Sequence, residues 1–349
     1  MLKNMFYKGL YYAGAKRLSR YAFKEPHCSI LAYHRIAPID VDSFILRDII
    51  VDPEDFEKQI IYIKSNYNII SLHELLESNS QKNLFPAGSI AITFDDGYED
   101  NYRYAFPILR KHDIPATIFV STAFVGGICN FWWERLRNIA INASKDSLSF
   151  RYDDNEYNFT LNGKREKKIF FETVSGLLKQ VTSSEADNLL NLLSGLLDVK
   201  DDGVYPRALS WADMKEMLEH NIDFGAHTHT HCLLSILGPD GLIEEVSAPK
   251  KIIEKNLSKE IFSFAYPYGG NMDFNENTIK AVEGAGYKVA LTMVQGPVFK
   301  NDSMLSLHRI GIGGNDTAEI FKLKVEGLVS WISGNLKGIN GNKNNYGKF

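Results

Sequence analysis

Two short segments, far apart in the chain, hold residue types that could bind a metal and move a proton: Thr93-Phe94-Asp95-Asp96-Gly97 and His227-Thr228-His229-Thr230-His231. The apolar run Ser89-Ile90-Ala91-Ile92 leads into the first and reads as a buried strand, so two adjacent carboxylates stand at a strand end. The second segment offers imidazoles at i, i+2 and i+4 after another strand-like run, Ile222-Asp223-Phe224-Gly225-Ala226. One carboxylate with two imidazoles is a ligand set typical of a catalytic zinc, which keeps a further position open for water or substrate. The other carboxylate is then free to act as a base, and the chemistry indicated is metal-assisted hydrolysis. If the histidine segment is extended, all three rings face the same way, so spacing alone does not choose His231 over His229.

The elements that must position these residues alternate strand and helix. Residues 28–33 read as a buried strand that ends at His34-Arg35. Residues 52–65 read as a helix, with Asp52 as N-cap, Pro53 at the first helical position and Phe56, Ile60 and Ile63 on one face. Ser71 and Glu74 form a capping box before a short helix. The strand at 89–94 carries the Asp pair, a helix runs from about 100 to 112, and a buried strand follows at 114–120. Ser210 caps another helix, and strands are expected near 222–227, 261–266, 287–293 and 305–311. Apolar strands alternating with helices argue for a parallel sheet, open or closed into a barrel. Both the Asp pair and the His cluster then fall at strand C-terminal ends, where such folds place their sites.

Residues 132–205 break this rhythm with a polar hairpin-like stretch and Lys- and Glu-rich helical sequence, and read as a mainly helical insertion bordering the cleft. Trp132 and Trp133 at its start are either core residues or a stacking surface for a sugar ring. The domain plan is a basic N-terminal segment (1–27), one catalytic domain (28–336) and a Gly-, Asn- and Lys-rich tail (337–349) expected to be disordered.

The chain has 349 residues, ample for a large core, and its 44% hydrophobic and 23% charged content is that of an ordinary globular protein. A net charge of −4 does not imply a nucleic-acid surface. Cys28, Cys129 and Cys232 are too few and too scattered for a disulfide framework, and Cys232 beside His231 reads as a bystander rather than a ligand. Residues 1–24 carry Lys3, Lys8, Lys16, Arg17, Arg20 and Lys24 and no acid, with aromatic residues interspersed. They lack the apolar run of a secretory signal, so a cytoplasmic or membrane-peripheral location is expected. They read either as a basic amphipathic helix on an anionic membrane or as a surface helix packed on the domain.

With these motifs in place the chain resembles the NodB-like polysaccharide deacetylases, carbohydrate esterase family 4. Thr93 to Gly97 matches the family's first motif, His227 to His231 its H-[S/T]-x-x-H motif, and Phe264-Ala265-Tyr266-Pro267-Tyr268-Gly269 its third. The resemblance implies a distorted (β/α) barrel of about seven repeats that removes N-acetyl groups from an amino-sugar glycan. It also implies Asp95 as general base, Asp96, His227 and His231 as ligands of a divalent ion, most readily Zn2+, and a backbone N–H of Tyr268 as oxyanion donor. His229 is left a structural role. A protonated acid must also serve the leaving amine, which departs poorly as an anion.

The chain departs from the family pattern in two places. Ala265 stands where an Arg often orients the base, and Leu307-His308-Arg309 has Arg where the acid His usually lies. A subgroup similar to exopolysaccharide poly-N-acetylglucosamine deacetylases has instead a first strand ending Tyr-His and the motif Phe-Ala-x-Pro-Tyr-Gly, and this chain has both. That resemblance favours His34 as the acid, with His308 as runner-up, and the register points Arg309 toward Asp95. The alternatives are an O-acetyl esterase on the same architecture and an inactive glycan-binding relative.

Overall fold

The computed structural model describes residues 2–14, 27–40, 43–80, 88–200 and 205–339. Its centre is a closed barrel of seven parallel strands: β1 His27–Tyr33, β2 Ser89–Phe94, β3 Ala116–Val120, β4 Ile222–Ala226, β5 Ser263–Ala265, β6 Val289–Gln295 and β7 Leu307–Gly311. Each strand pairs with the next in sequence, and β7 pairs back onto β1, which closes the ring. Closure explains the unbroken apolar runs. A strand such as β2 is buried along its whole length because one face fills the barrel and the other lies under helices. The fold is therefore the (β/α) barrel of seven repeats that the family resemblance implies.

The surrounding helices start where their capping residues dictate. Asp52 accepts the Glu54 N–H at the head of Pro53–Asn66, whose buried face is Phe56, Ile60 and Ile63. Ser71 and Glu74 cap Leu72–Ser80 reciprocally, and Ser210 and Asp213 do the same for Trp211–Leu218. The helix expected from about 100 to 112 opens with a π-helical turn, Asn101–Ala105, before the α-helix Phe106–His112. Four two-residue strands among the described residues are too short to show a period and were not anticipated; Arg35–Ile36 and Ile50–Val51 pair with each other. Asn68–Ile69 extends the sheet beside β2, and Val298–Phe299 runs antiparallel to the start of β1.

After β3 the chain leaves the barrel. It forms the helix Trp132–Asn142, the hairpin Ser147–Tyr152 with Asn155–Thr160, and the helices Lys164–Leu178 and Ser183–Leu196. The hairpin turns at Asp153 and Asp154, both at positive φ (50° and 60°), as its right-handed strand twist requires. These elements bury a core of their own around Leu136, Phe170, Val174, Leu190 and Leu193, which is continuous with Tyr98 and Phe124. Tyr98 follows the Asp pair and Phe124 follows β3, so this core rests on the C-terminal ends of the barrel strands. Residues 201–204, at the end of the expected insertion, lie outside the described residues.

The N-terminal helix Leu2–Tyr12 packs on the domain. Tyr7 is buried against Ile320, Leu323 and Leu328, and the Tyr12 hydroxyl donates to Glu319 at 2.9 Å. Residues 15–26 lie outside the described residues. No helix is long and apolar enough to cross a membrane among the described residues. A helix, Leu328–Ile339, occupies the first positions of the expected tail, and residues 340–349 lie outside the described residues.

Candidate active site

The Asp pair, the His segment and the third motif meet because β2, β4 and β5 all end at one rim of the barrel. The turns that aim their side chains place Asp96 (φ 78°), Thr228 (φ 62°), His231 (φ 58°) and Tyr268 (φ 59°) in the left-handed region. Non-glycine residues seldom occupy this region, and such outliers gather at functional sites. Gly97 (φ 87°) is required in addition by close approach, since a Cβ there would meet Val120 at 2.9 Å.

Asp96, His227 and His231 form a buried group with donor atoms within 4.8 Å of one another, the one such group among the described residues. Asp96 Oδ1 has no hydrogen-bond partner and lies 3.6 Å from His227 Nε2 and 3.3 Å from His231 Nε2. Tetrahedral bonds of about 2.0–2.1 Å set ligand atoms roughly 3.3–3.4 Å apart, so the three donors fit a zinc-sized cation. Burial pushes the Asp96 carboxyl up, but His231 and its neighbours outweigh this and hold it below its usual value. Burial also brings the His227 imidazole down to about 4, leaving it neutral, the form that ligates. Its Nδ1 is 2.8 Å from the Ala265 carbonyl, which fixes the ring so that Nε2 faces Asp96.

The His segment is not extended. Its left-handed residues fold it into a turn, with Thr228 Oγ1 accepting the His231 N–H at 2.9 Å. His229 is thereby separated from the other two rings, and its Nδ1 lies 2.8 Å from Thr122 Oγ1. The turn is pinned by Glu245 of helix Pro239–Leu257, whose carboxylate accepts the backbone N–H of His229 and of Thr230, each at 2.9 Å. Sequence reading passed over Glu245 because nothing near it marks a motif; only packing of that helix against β4 brings it to the loop.

Asp95 sits beside this group in a fully buried ion pair. Arg309 Nη1 donates to Oδ1 at 2.7 Å and Nη2 to Oδ2 at 2.6 Å, while Nε donates to the Thr292 carbonyl at 2.8 Å. Burial pushes the Asp95 carboxyl up, yet Arg309 first and then His227 hold it well below the usual carboxylate range. The guanidinium of β7 thus reaches the base where Ala265 of β5 has no side chain to offer. His308, the neighbour of Arg309 on β7, points to the opposite side of the strand, against Gly296.

The register of β1 and β2 pairs Tyr33 with Phe94, and the Asp95 N–H donates to the Tyr33 carbonyl at 2.9 Å. His34 is therefore level with Asp95 at the rim. It is partly exposed and lies within electrostatic reach of both Asp95 and Asp96. Asn101, on the π-helical turn, donates to the His34 carbonyl at 3.1 Å and ties the two loops together. Trp133 is buried, stacked 4.2 Å from Phe131 and 4.7 Å from the His231 ring, so it is a core residue. Trp132 is partly exposed and donates through Nε1 to the Tyr268 hydroxyl at 3.0 Å. The three cysteines are unpaired, and Cys232 lies outside the Asp96 group.

Residues 82–144 and 177–290 match the polysaccharide deacetylase family, more than half of the chain. The chain belongs to the polysaccharide deacetylase family. The match is interrupted at 145–176, where this deacetylase carries its hairpin and the first long helix of the added segment. A poly-beta-1,6-N-acetyl-D-glucosamine N-deacetylase of Staphylococcus aureus (strain MRSA252) is 24% identical over 310 residues, 86% of this chain and 83% of its own. Among solved structures, the Streptococcus pyogenes deacetylase PplD in complex with acetate aligns at a TM-score of 0.59 and 22% identity, over 86% of this chain and 99% of its own. IcaB from Ammonifex degensii aligns at 0.54 and 17% identity, over 87% and 97%. These structural likenesses extend the NodB-like barrel to this polysaccharide deacetylase.

Proposed function

We propose that this chain is a metal-dependent hydrolase that removes N-acetyl groups from an amino-sugar polysaccharide of the poly-β-1,6-N-acetylglucosamine type. The observation that carries the reading is the convergence of Asp96 Oδ1, His227 Nε2 and His231 Nε2 on one point, beside a carboxylate locked by Arg309. The substrate class rests on the similarity to the staphylococcal deacetylase and on the Tyr33-His34 and Phe264 to Gly269 motifs.

Asp96, His227 and His231 would hold the ion, with zinc favoured by the donor set and spacing. A bound divalent ion supplies a polarised acetyl carbonyl and a more acidic water. Asp95 takes the proton of the attacking water. Its pairing with Arg309 keeps it ionised and aimed, at the expense of basicity. The backbone N–H of Tyr268 steadies the negative charge that develops on the acetyl oxygen. His34, beside Asp95 at the end of the neighbouring strand, delivers a proton to the departing amine.

The test is acetate release from poly-β-1,6-N-acetylglucosamine oligomers, chitin oligomers and an O-acetylated glycan, before and after chelation and with zinc restored. Release from the β-1,6 oligomers that is lost on chelation and regained with zinc is expected. A zinc-loaded protein that releases no acetate from any N-acetylated glycan refutes the proposal.

A further inference from the structure

The two metal-site histidines are oriented by different means. His227 has the Ala265 carbonyl against Nδ1, whereas the buried His231 Nδ1 has no hydrogen-bond partner. The His231 ring is instead walled by aromatic rings: Trp133 at 4.7 Å, Tyr268 at 5.0 Å and Phe131 at 5.4 Å, all close to edge-on. Tyr268 is in turn gripped by the segment added after β3. Trp132 Nε1 donates to its hydroxyl at 3.0 Å, and Lys179 Nζ lies 4.7 Å above its ring centre. Lys179 is held there by Asp273 at 2.9 Å, and Asp273 also accepts the Gly270 N–H at 2.8 Å, two residues beyond Tyr268. The strained backbone of Tyr268 needs such external support to persist.

We propose that Trp132 and Lys179 are positioning residues that fix Tyr268 and, through its ring, the imidazole of His231. The added segment then completes the metal site rather than merely walling the cleft. A ligating histidine normally gains its orientation from a hydrogen bond at the other ring nitrogen. Here three rings substitute for that bond, and one of them, Tyr268, is held by Trp132 and Lys179 of the added segment. The same grip sets the Tyr268 backbone N–H, so metal affinity and turnover depend on one contact. This inference rests on the hydrolase reading for its kinetic part only.

The test compares W132F, Y268F and the double variant, with K179M as a second route that leaves the aromatic cluster intact. Zinc affinity is read by competition with a chromophoric chelator, and kcat and KM by acetate release. W132F should bind zinc about 10-fold more weakly, the size typical for loss of an outer-sphere support. It should also lose about 3- to 10-fold in kcat at unchanged KM, as expected for one positioning hydrogen bond. Y268F should match it, the double variant should be no worse than either, and K179M should shift both readouts in the same direction. Unchanged zinc affinity in both W132F and K179M overturns the proposal, even if the wild type deacetylates nothing. So does a loss confined to KM, which would make Trp132 a sugar contact, or additive losses in the double variant.

Discussion

Replacing Arg309 with Met should leave a buried carboxylate without its counter-charge. The two side chains are 0% and 2% exposed and share two bonds of 2.6 and 2.7 Å. Charge centres roughly 4 Å apart attract by about 4 kcal/mol at an effective dielectric of 20. Desolvation offsets much of this in the intact pair, but removing one partner exposes the full penalty, about 3–5 kcal/mol. Unfolding entropy of about 2.1 cal/mol/K per residue, taken over this chain of 349 residues, is roughly 0.7 kcal/mol/K, so the melting midpoint should fall by about 4–7 °C at pH 7. The Thr292 carbonyl also loses its donor, which favours the upper end.

The pH dependence of this loss has a definite sign. In the wild type the folded Asp95 titrates below its unfolded value of about 3.9, so the pair's stabilisation is complete above that pH and fades as pH falls toward the folded value. In R309M burial acts unopposed by Arg309 and raises Asp95, so the variant is penalised most above the carboxylate range and relieved by acid. The stability gap should therefore narrow from pH 7 to pH 4, and the acid limb of kcat/KM should move to higher pH. Thermal denaturation at both pH values and a pH–rate profile check this. A variant melting within about 1 °C of wild type with an unmoved acid limb would refute the pairing argument.

H227A should lower bound zinc while keeping the barrel's circular dichroism, and full occupancy by metal analysis would exclude His227 as a ligand. D95N should retain zinc yet lose hydrolysis by about 10²–10⁴-fold, the usual range for a general base; wild-type turnover would remove Asp95 from the mechanism. H34A should cut amide hydrolysis far more than hydrolysis of an activated acetyl ester, whose leaving group needs no proton, and equal losses would falsify the acid role.

Much of the barrel was legible because its signals are local. The run at 89–94 reads as a strand buried on both faces and that at 222–226 as another strand, and Asp52, Ser71 and Ser210 mark helix starts by the hydrogen bonds that their side chains supply. The chemistry was legible for the same reason: an Asp pair at one strand end and a His cluster at another restrict the reaction to a narrow class. Closure of the sheet was not, since β7 pairing back onto β1 joins residues nearly the whole chain apart.

What the sequence by itself determined was which groups the site contains: two carboxylates, the imidazoles and a β7 strand whose alternation sends Arg309 and His308 to opposite sides. Only the tertiary structure decided how they are arranged. His229 leaves the cluster because left-handed residues turn the loop, a choice that neighbouring packing and Glu245 enforce. Trp132 reaches Tyr268, and Lys179 reaches Asp273, only because a segment folded around its own core sits on the barrel rim. Local sequence encodes hydrogen bonds and periodicity within a few residues; the Glu245 contact spans 16 residues and the Trp132–Tyr268 contact 136, and their geometry exists only once the elements have packed.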